Sequence, residues 1–129
     1  MNKFVIDTYA WVEYFIGSKI GENVKAVVED KNNEIYTNAI TIAELSSSYT
    51  RDSLNFEDEK KILTNMSKII EINIELADAT GKLHANIKKN RKHMSMADTF
   101  VLATARKLNA KVVTGDEDFR GLNEVIMIK

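Results

Sequence analysis

Lys3-Phe4-Val5-Ile6-Asp7 is a short apolar run that stops at an acid, and Thr8 to Ile16 follows it with a helical rhythm. The run suits a buried strand. Asp7 is a residue type that starts helices by capping free backbone N–H groups. Trp11, Tyr14 and Phe15 then recur three and four residues apart, as one face of a helix requires, so they read first as core and second as a partner-binding face. Strand, acid, helix is the pattern that decides the fold.

The same alternation continues outward. Strands are expected at Glu34–Thr37, Ile69–Ile72, Lys111–Thr114 and Val125–Ile128. Helices are expected at Asn23–Lys31, Ile42–Thr50, Phe56–Ser67, Leu76–Lys89 and Met96–Leu108, with Gly17 and Gly21 closing the first helical segment. Strands alternating with helices argue an α/β fold around a mostly parallel sheet, covered on both faces. In open sheets of this kind ligands bind beyond the carboxyl ends of the strands.

The 129 residues are one domain's worth, residues 1–129, with no composition shift or low-complexity stretch to divide them. Hydrophobic residues make up 44%, enough for a core without covalent staples. The absence of cysteine excludes disulfides, thiolate zinc sites and a Cys nucleophile. Two histidines are too few for a His-rich metal centre, and His93 reads as a surface residue. No apolar run approaches the ~20 residues that span a bilayer, and the first is too short for a signal peptide. A soluble, cytoplasmic protein is the expectation. A net charge of −1 leaves nucleic-acid binding to a local basic patch, not to bulk charge.

Acids recur where strands end and helices begin: Asp7, Glu44, Asp98 and Asp116, with Asp118 close behind. Each has a plain structural reading. Asp7 can cap a helix; Thr41-Ile42-Ala43-Glu44 fits a capping box, and Ser95-Met96-Ala97-Asp98 a looser one. Gly115-Asp116-Glu117-Asp118 can be a polar turn. Their joint placement adds something. A helix that runs antiparallel into the next strand starts at the carboxyl edge, so all four positions can converge there. Two carboxylates ~4 Å apart repel by about 4 kcal/mol at an effective dielectric near 20. Such a cluster persists by taking up protons or by binding a cation. Oxygen ligands without Cys or His favour Mg²⁺ or Mn²⁺, ions that serve displacement at phosphorus.

Val5-Ile6-Asp7-Thr8, Thr41-Ile42-Ala43-Glu44-Leu45, Met96-Ala97-Asp98-Thr99 and Val113-Thr114-Gly115-Asp116-Glu117-Asp118-Phe119 resemble, in order and over essentially the whole chain, the PIN-domain ribonucleases, and most closely the VapC-like toxins of VapBC toxin–antitoxin systems. The resemblance implies a three-layer α/β/α fold with a five-stranded sheet in order 3-2-1-4-5. It implies an acidic pocket of Asp7, Glu44, Asp98 and Asp116 and Mg²⁺- or Mn²⁺-dependent cleavage of RNA, with transfer RNA or a ribosomal RNA loop as the usual target. It implies a VapB-like antitoxin as partner, and a homodimer. On that basis Asp7, Asp98 and Asp116 would hold metal directly or through water, Glu44 would orient a metal-bound water or take its proton, and Thr114 would support the site through its hydroxyl. Asp118 would complete a second metal site or merely close its turn.

Lys88-Lys89-Asn90-Arg91-Lys92-His93 is the dense basic cluster. Lys88, Lys89, Arg91 and Lys92 could bind RNA phosphates on the pocket rim, or simply finish a solvated helix end. Phe56 to Lys61 reads as a solvated helix surface. Three rivals stand beside the toxin: a PIN nuclease in housekeeping RNA processing, an inactive RNA- or protein-binding PIN module, and a receiver-like or phosphatase-like domain using Asp7 as phosphoacceptor. The last leaves Glu44 and Asp98 without a role.

Overall fold

Val5 and Ile6 are wholly buried, so the first strand faces protein on both sides. The computed structural model describes residues 2–129. In it β1 (Asn2–Ile6) is the central strand of a five-stranded sheet ordered β3-β2-β1-β4-β5, in which every pair is parallel. The other strands are β2 (Asn33–Asn38), β3 (Lys68–Ile70), β4 (Lys111–Thr114) and β5 (Val125–Met127). Val5 sits level with Tyr36 on one side and Val112 on the other.

Alternate side chains leave opposite faces of a strand, and two cores result. Phe4, Ile6 and Val113 pack with Trp11, Val24, Leu45 and Leu63 on one face. That layer is α1 (Thr8–Ile16), α2 (Lys19–Val28), α3 (Ala39–Arg51) and α4 (Glu57–Met66). Val5, Tyr36 and Val112 pack with Val101, Leu102 and Phe119 on the other, against α5 (Ile74–Ile87) and α6 (Met96–Leu108). The expected three-layer α/β/α arrangement and strand order are therefore observed.

Boundaries differ where caps override periodicity. α2 starts at Lys19 behind a Ser18 cap, so Gly21 lies inside the helix and does not close α1. β3 is Lys68–Ile70, ending before Ile72, and Asn73 caps α5 two positions earlier than the apolar stripe suggests. α3 begins at Ala39 because the Asn38 side chain accepts from the Ile40 N–H. The capping box expected at Thr41–Glu44 is consequently not formed. Thr41 is buried inside the first turn with its hydroxyl unpartnered, which frees Glu44 for another contact.

Trp11 is fully buried, stacks on Phe15 with ring centroids 5.5 Å apart, and donates its indole N–H to Thr37 Oγ1 at 3.1 Å. The core reading of that aromatic face holds for Trp11, while Tyr14 and Phe15 stay half-buried. Among the described residues, no helix is long and apolar enough to cross a membrane.

Candidate active site

One residue separates β1 from α1, and none separates β2 from α3. Such tight joints make each strand end the start of a helix, so the side chains there share the sheet's carboxyl edge. α6 comes to the same edge from the other direction, because it runs back to feed β4 through Asn109 in a left-handed conformation (φ 54°). Gly115 lets β4 end close to α1: a Cβ there would lie 2.3 Å from the Tyr9 ring.

Asp7 is buried, and both of its carboxyl oxygens are engaged. Oδ1 accepts from the Ala10 N–H at 2.9 Å, which makes it the cap of α1. Oδ2 accepts from the Thr114 hydroxyl. The same hydroxyl oxygen accepts from the Asp116 N–H at 2.9 Å, so Thr114 ties Asp7 to the loop after β4. Burial pushes the Asp7 carboxyl up to about 7. The hydrogen bonds from Thr114 and Ala10 oppose that rise, and the charges of Asp98 and Asp116 add to it.

Asp98 stands in the first turn of α6, where Ser95 caps the helix by accepting from the Asp98 N–H at 3.0 Å. Its carboxyl is pushed up to about 6, mainly by burial, with the charges of Asp116 and Glu44 contributing and Ser95 working the other way. Asp116 Oδ1 accepts from the Asp118 N–H at 2.9 Å and so starts a single 3₁₀ turn, Glu117–Phe119. Fully buried Phe119 anchors that turn in the core.

The plain readings of Asp7, Asp98 and Asp116 as caps or turn-makers are thus realised, and Asp98 and Asp116 are brought together as well. Carboxyl oxygens of Asp98, Asp116 and Asp118 all lie within 4.8 Å of one another. Asp118, expected as optional, belongs to this group; Asp7, expected to bind metal directly or through water, lies outside it. Three carboxylates from two elements, with no nitrogen or sulfur donor among them, fit a hard divalent cation bound through oxygen. Such an ion would relieve the repulsion that raises Asp98.

Glu44 reaches the site from the second turn of α3. Its Oε1 accepts from the Thr8 hydroxyl at 2.6 Å. In the sequence Thr8 stands beside Asp7 with nothing to mark it for a role. A hydroxyl following a strand-end acid is too common a signal to single out, and only the pairing of β1 with β2 brings it to Glu44.

The basic cluster adjoins the acids. Lys89 to Met94, with Glu117 and Asp118, line a cleft of about 350 Å³. His93 is exposed, as expected. Lys88 Nζ donates to the Lys92 carbonyl at 2.7 Å, closing the turn between α5 and α6, and Arg91 Nη1 donates to the Asp118 carbonyl at 3.0 Å.

The PIN-domain family model matches residues 4–125. The chain belongs to the PIN-domain family. No curated protein matches it. Among solved structures it is similar to a toxin–antitoxin complex from Klebsiella pneumoniae, at 21% identity over 97% of each chain with a TM-score of 0.74. It is similar to VapBC2 from Rickettsia felis bound to a promoter DNA fragment, at 18% identity over 97% of this chain and 96% of that one, TM-score 0.74. It is also similar to Mycobacterium tuberculosis VapC20, a sarcin–ricin loop cleaving toxin, at 18% identity over 95% of this chain and 98% of that one, TM-score 0.74. At these identities the likeness is one of fold, and it spans this PIN domain from end to end.

Proposed function

We propose that this PIN-domain protein is a Mg²⁺- or Mn²⁺-dependent endoribonuclease that hydrolyses RNA phosphodiester bonds as the toxin of a toxin–antitoxin pair. The observation that carries the reading is the meeting of Asp98, Asp116 and Asp118, brought from α6 and the loop after β4 to within 4.8 Å, beside a buried Asp7. A bound divalent cation would supply charge stabilisation at phosphorus and a more acidic water. In this reading Asp98, Asp116 and Asp118 hold the cation, and Asp7 contributes through water and through Thr114. Glu44, held at one oxygen by Thr8, keeps its other oxygen to orient the attacking water and accept its proton. Lys88, Lys89 and Lys92, beside Arg91, offer the substrate's phosphates a positive rim against an overall charge of −1.

The toxin role is supported by solved neighbours that are toxin–antitoxin complexes. It carries with it a cytoplasmic setting, a VapB-like antitoxin, a homodimer, and a transfer or ribosomal RNA target. The test is cleavage of total RNA with Mn²⁺ and with EDTA, by wild type and Asp98→Asn, with melting temperatures of both. Cleavage by wild type alone, a loss of 100-fold or more in the variant, and a melting temperature for the variant in EDTA at or above wild type are expected. Equal cleavage by the two proteins would exclude Asp98 from the machinery.

A further inference from the structure

Arg91 is set apart from the three lysines of the basic cluster by where its guanidinium lies. It is half-buried, while Lys88, Lys89 and Lys92 are exposed. Its Nη1 donates to the Asp118 main-chain carbonyl at 3.0 Å across 27 residues of sequence. On the far side of the same loop its Nη2 comes so close to Gly121 that a Cβ there would stand 3.2 Å from it. Gly121 has φ +93°, a conformation L side chains rarely adopt. The loop is therefore shaped to receive this side chain.

Arg91 is itself firmly placed. Its N–H donates to the Ile87 carbonyl at 2.9 Å, and its carbonyl accepts from the N–H of fully buried Met94 at 3.2 Å. No carboxylate pairs with Arg91 among the described salt bridges. Its described side-chain hydrogen bond goes to the backbone of the loop that carries Asp116 and Asp118. A planar guanidinium with fixed donor directions suits that job better than a flexible ammonium.

We infer that Arg91 is a positioning residue: it latches the loop after β4 to the α5–α6 turn, so that Asp116 and Asp118 stay where they meet Asp98. This rests on the metal reading above and separates Arg91 from the phosphate contacts that the neighbouring lysines can make. Charge and latch predict opposite signs. Removing a cation beside an acid cluster tightens divalent-cation binding by charge alone. Releasing the loop weakens it.

The experiment compares wild type with Arg91→Met, which keeps the apolar stem, and Gly121→Ala, which crowds the guanidinium and strains the loop without removing charge. Mn²⁺ affinity is measured by titration. Amide exchange is followed at Asp118, Phe119 and Arg120, whose N–H groups bond within the turn. Binding of an RNA oligonucleotide is measured against salt in chelating buffer. The expected result is Mn²⁺ affinity at least tenfold weaker and faster loop exchange in both variants, with the salt slope of RNA binding unchanged. Unaltered or tighter Mn²⁺ binding in Arg91→Met, with a salt slope smaller by about one, would make Arg91 a phosphate contact and overturn the inference. Should wild type bind no Mn²⁺, the metal reading falls, and loop exchange alone decides: exchange unchanged in Arg91→Met overturns the latch.

Discussion

Thr8 and Glu44 show how a single hydroxyl bears on the chemistry. A glutamate side chain has three free torsions, and a carboxylate on a solvent-reachable edge samples them unless something holds it. Thr8 holds one oxygen at 2.6 Å, and the charge of Glu44 is felt at Asp98. Thr8→Val removes the donor at nearly constant shape, and valine suits the first turn of α1 no worse than threonine does. The expected outcome is a fall in kcat of about tenfold or more, a part of the roughly 10²–10⁴-fold that a general base contributes, with KM for RNA and Mn²⁺ affinity unchanged. Thr8→Ser restores kcat. Coupling constants of the Glu44 side chain supply a readout apart from turnover: one rotamer in wild type, averaging in Thr8→Val. Full activity in Thr8→Val would leave the Thr8–Glu44 bond as packing only.

Helix α3 carries Glu44 and helix α6 carries Asp98, and one buried contact sets them against each other. Asn38, fully buried at the end of β2, gives its side-chain oxygen to the start of α3 and donates its amide to Thr104 Oγ1 on α6 at 2.8 Å. Thr104 in turn donates to the Phe100 carbonyl at 2.7 Å. Thr104→Val strands the Asn38 amide away from water, which is expected to cost about 1–3 kcal/mol in a denaturant titration. In an Asn38→Ala background the same change is expected to cost almost nothing, because no amide is left unpaired. Additive losses would show that the two residues act separately. This contact also marks where the sequence stopped being readable. Strand–helix alternation and the position of Asp7, Glu44, Asp98 and Asp116 followed from apolar periodicity and cap residues, both local signals. Asn38 as the α3 cap did not, because Thr41–Glu44 matched the capping-box pattern equally well and only burial of Asn38 decides between them. The promotion of Asp118 over Asp7 as a member of the three-acid group was equally hidden. Asp7 instead engages its oxygens with Ala10 and Thr114, and the Thr114 contact bridges 107 residues of sequence.

For the molecule as a whole, the acid site sets stability against pH. Asp7 has its carboxyl raised from 3.8 to about 7 and Asp98 to about 6, in both cases chiefly by burial. Between the ordinary and the raised value the native state holds a proton that the unfolded state has released. Stability then falls as pH rises, since ∂ΔG/∂pH follows protons bound unfolded minus native. The window for Asp7 runs from about 4 to about 7, and that for Asp98 closes near 6; below about 4 neither group imposes a penalty. At about 1.4 kcal/mol per pH unit, buried Asp7 alone costs on the order of a few kcal/mol by neutrality. Asp98 is more exposed and is discounted for solvent screening. The quantity that isolates Asp7 is the difference between wild type and Asp7→Asn in EDTA. That variant is expected to match wild type near pH 4 and to exceed it progressively up to pH 8. Mn²⁺ at 100 times its dissociation constant adds about 2.7 kcal/mol to wild type at pH 8, several degrees of melting temperature, and less at pH 4, where protons hold Asp7 and Asp98. A difference between the two proteins that stays constant from pH 4 to 8 would mean Asp7 is ionised at no cost in the folded state. Asp7 would then hold no burial cost for a cation to offset, and the affinity for metal would have to come from Asp98, Asp116 and Asp118 alone.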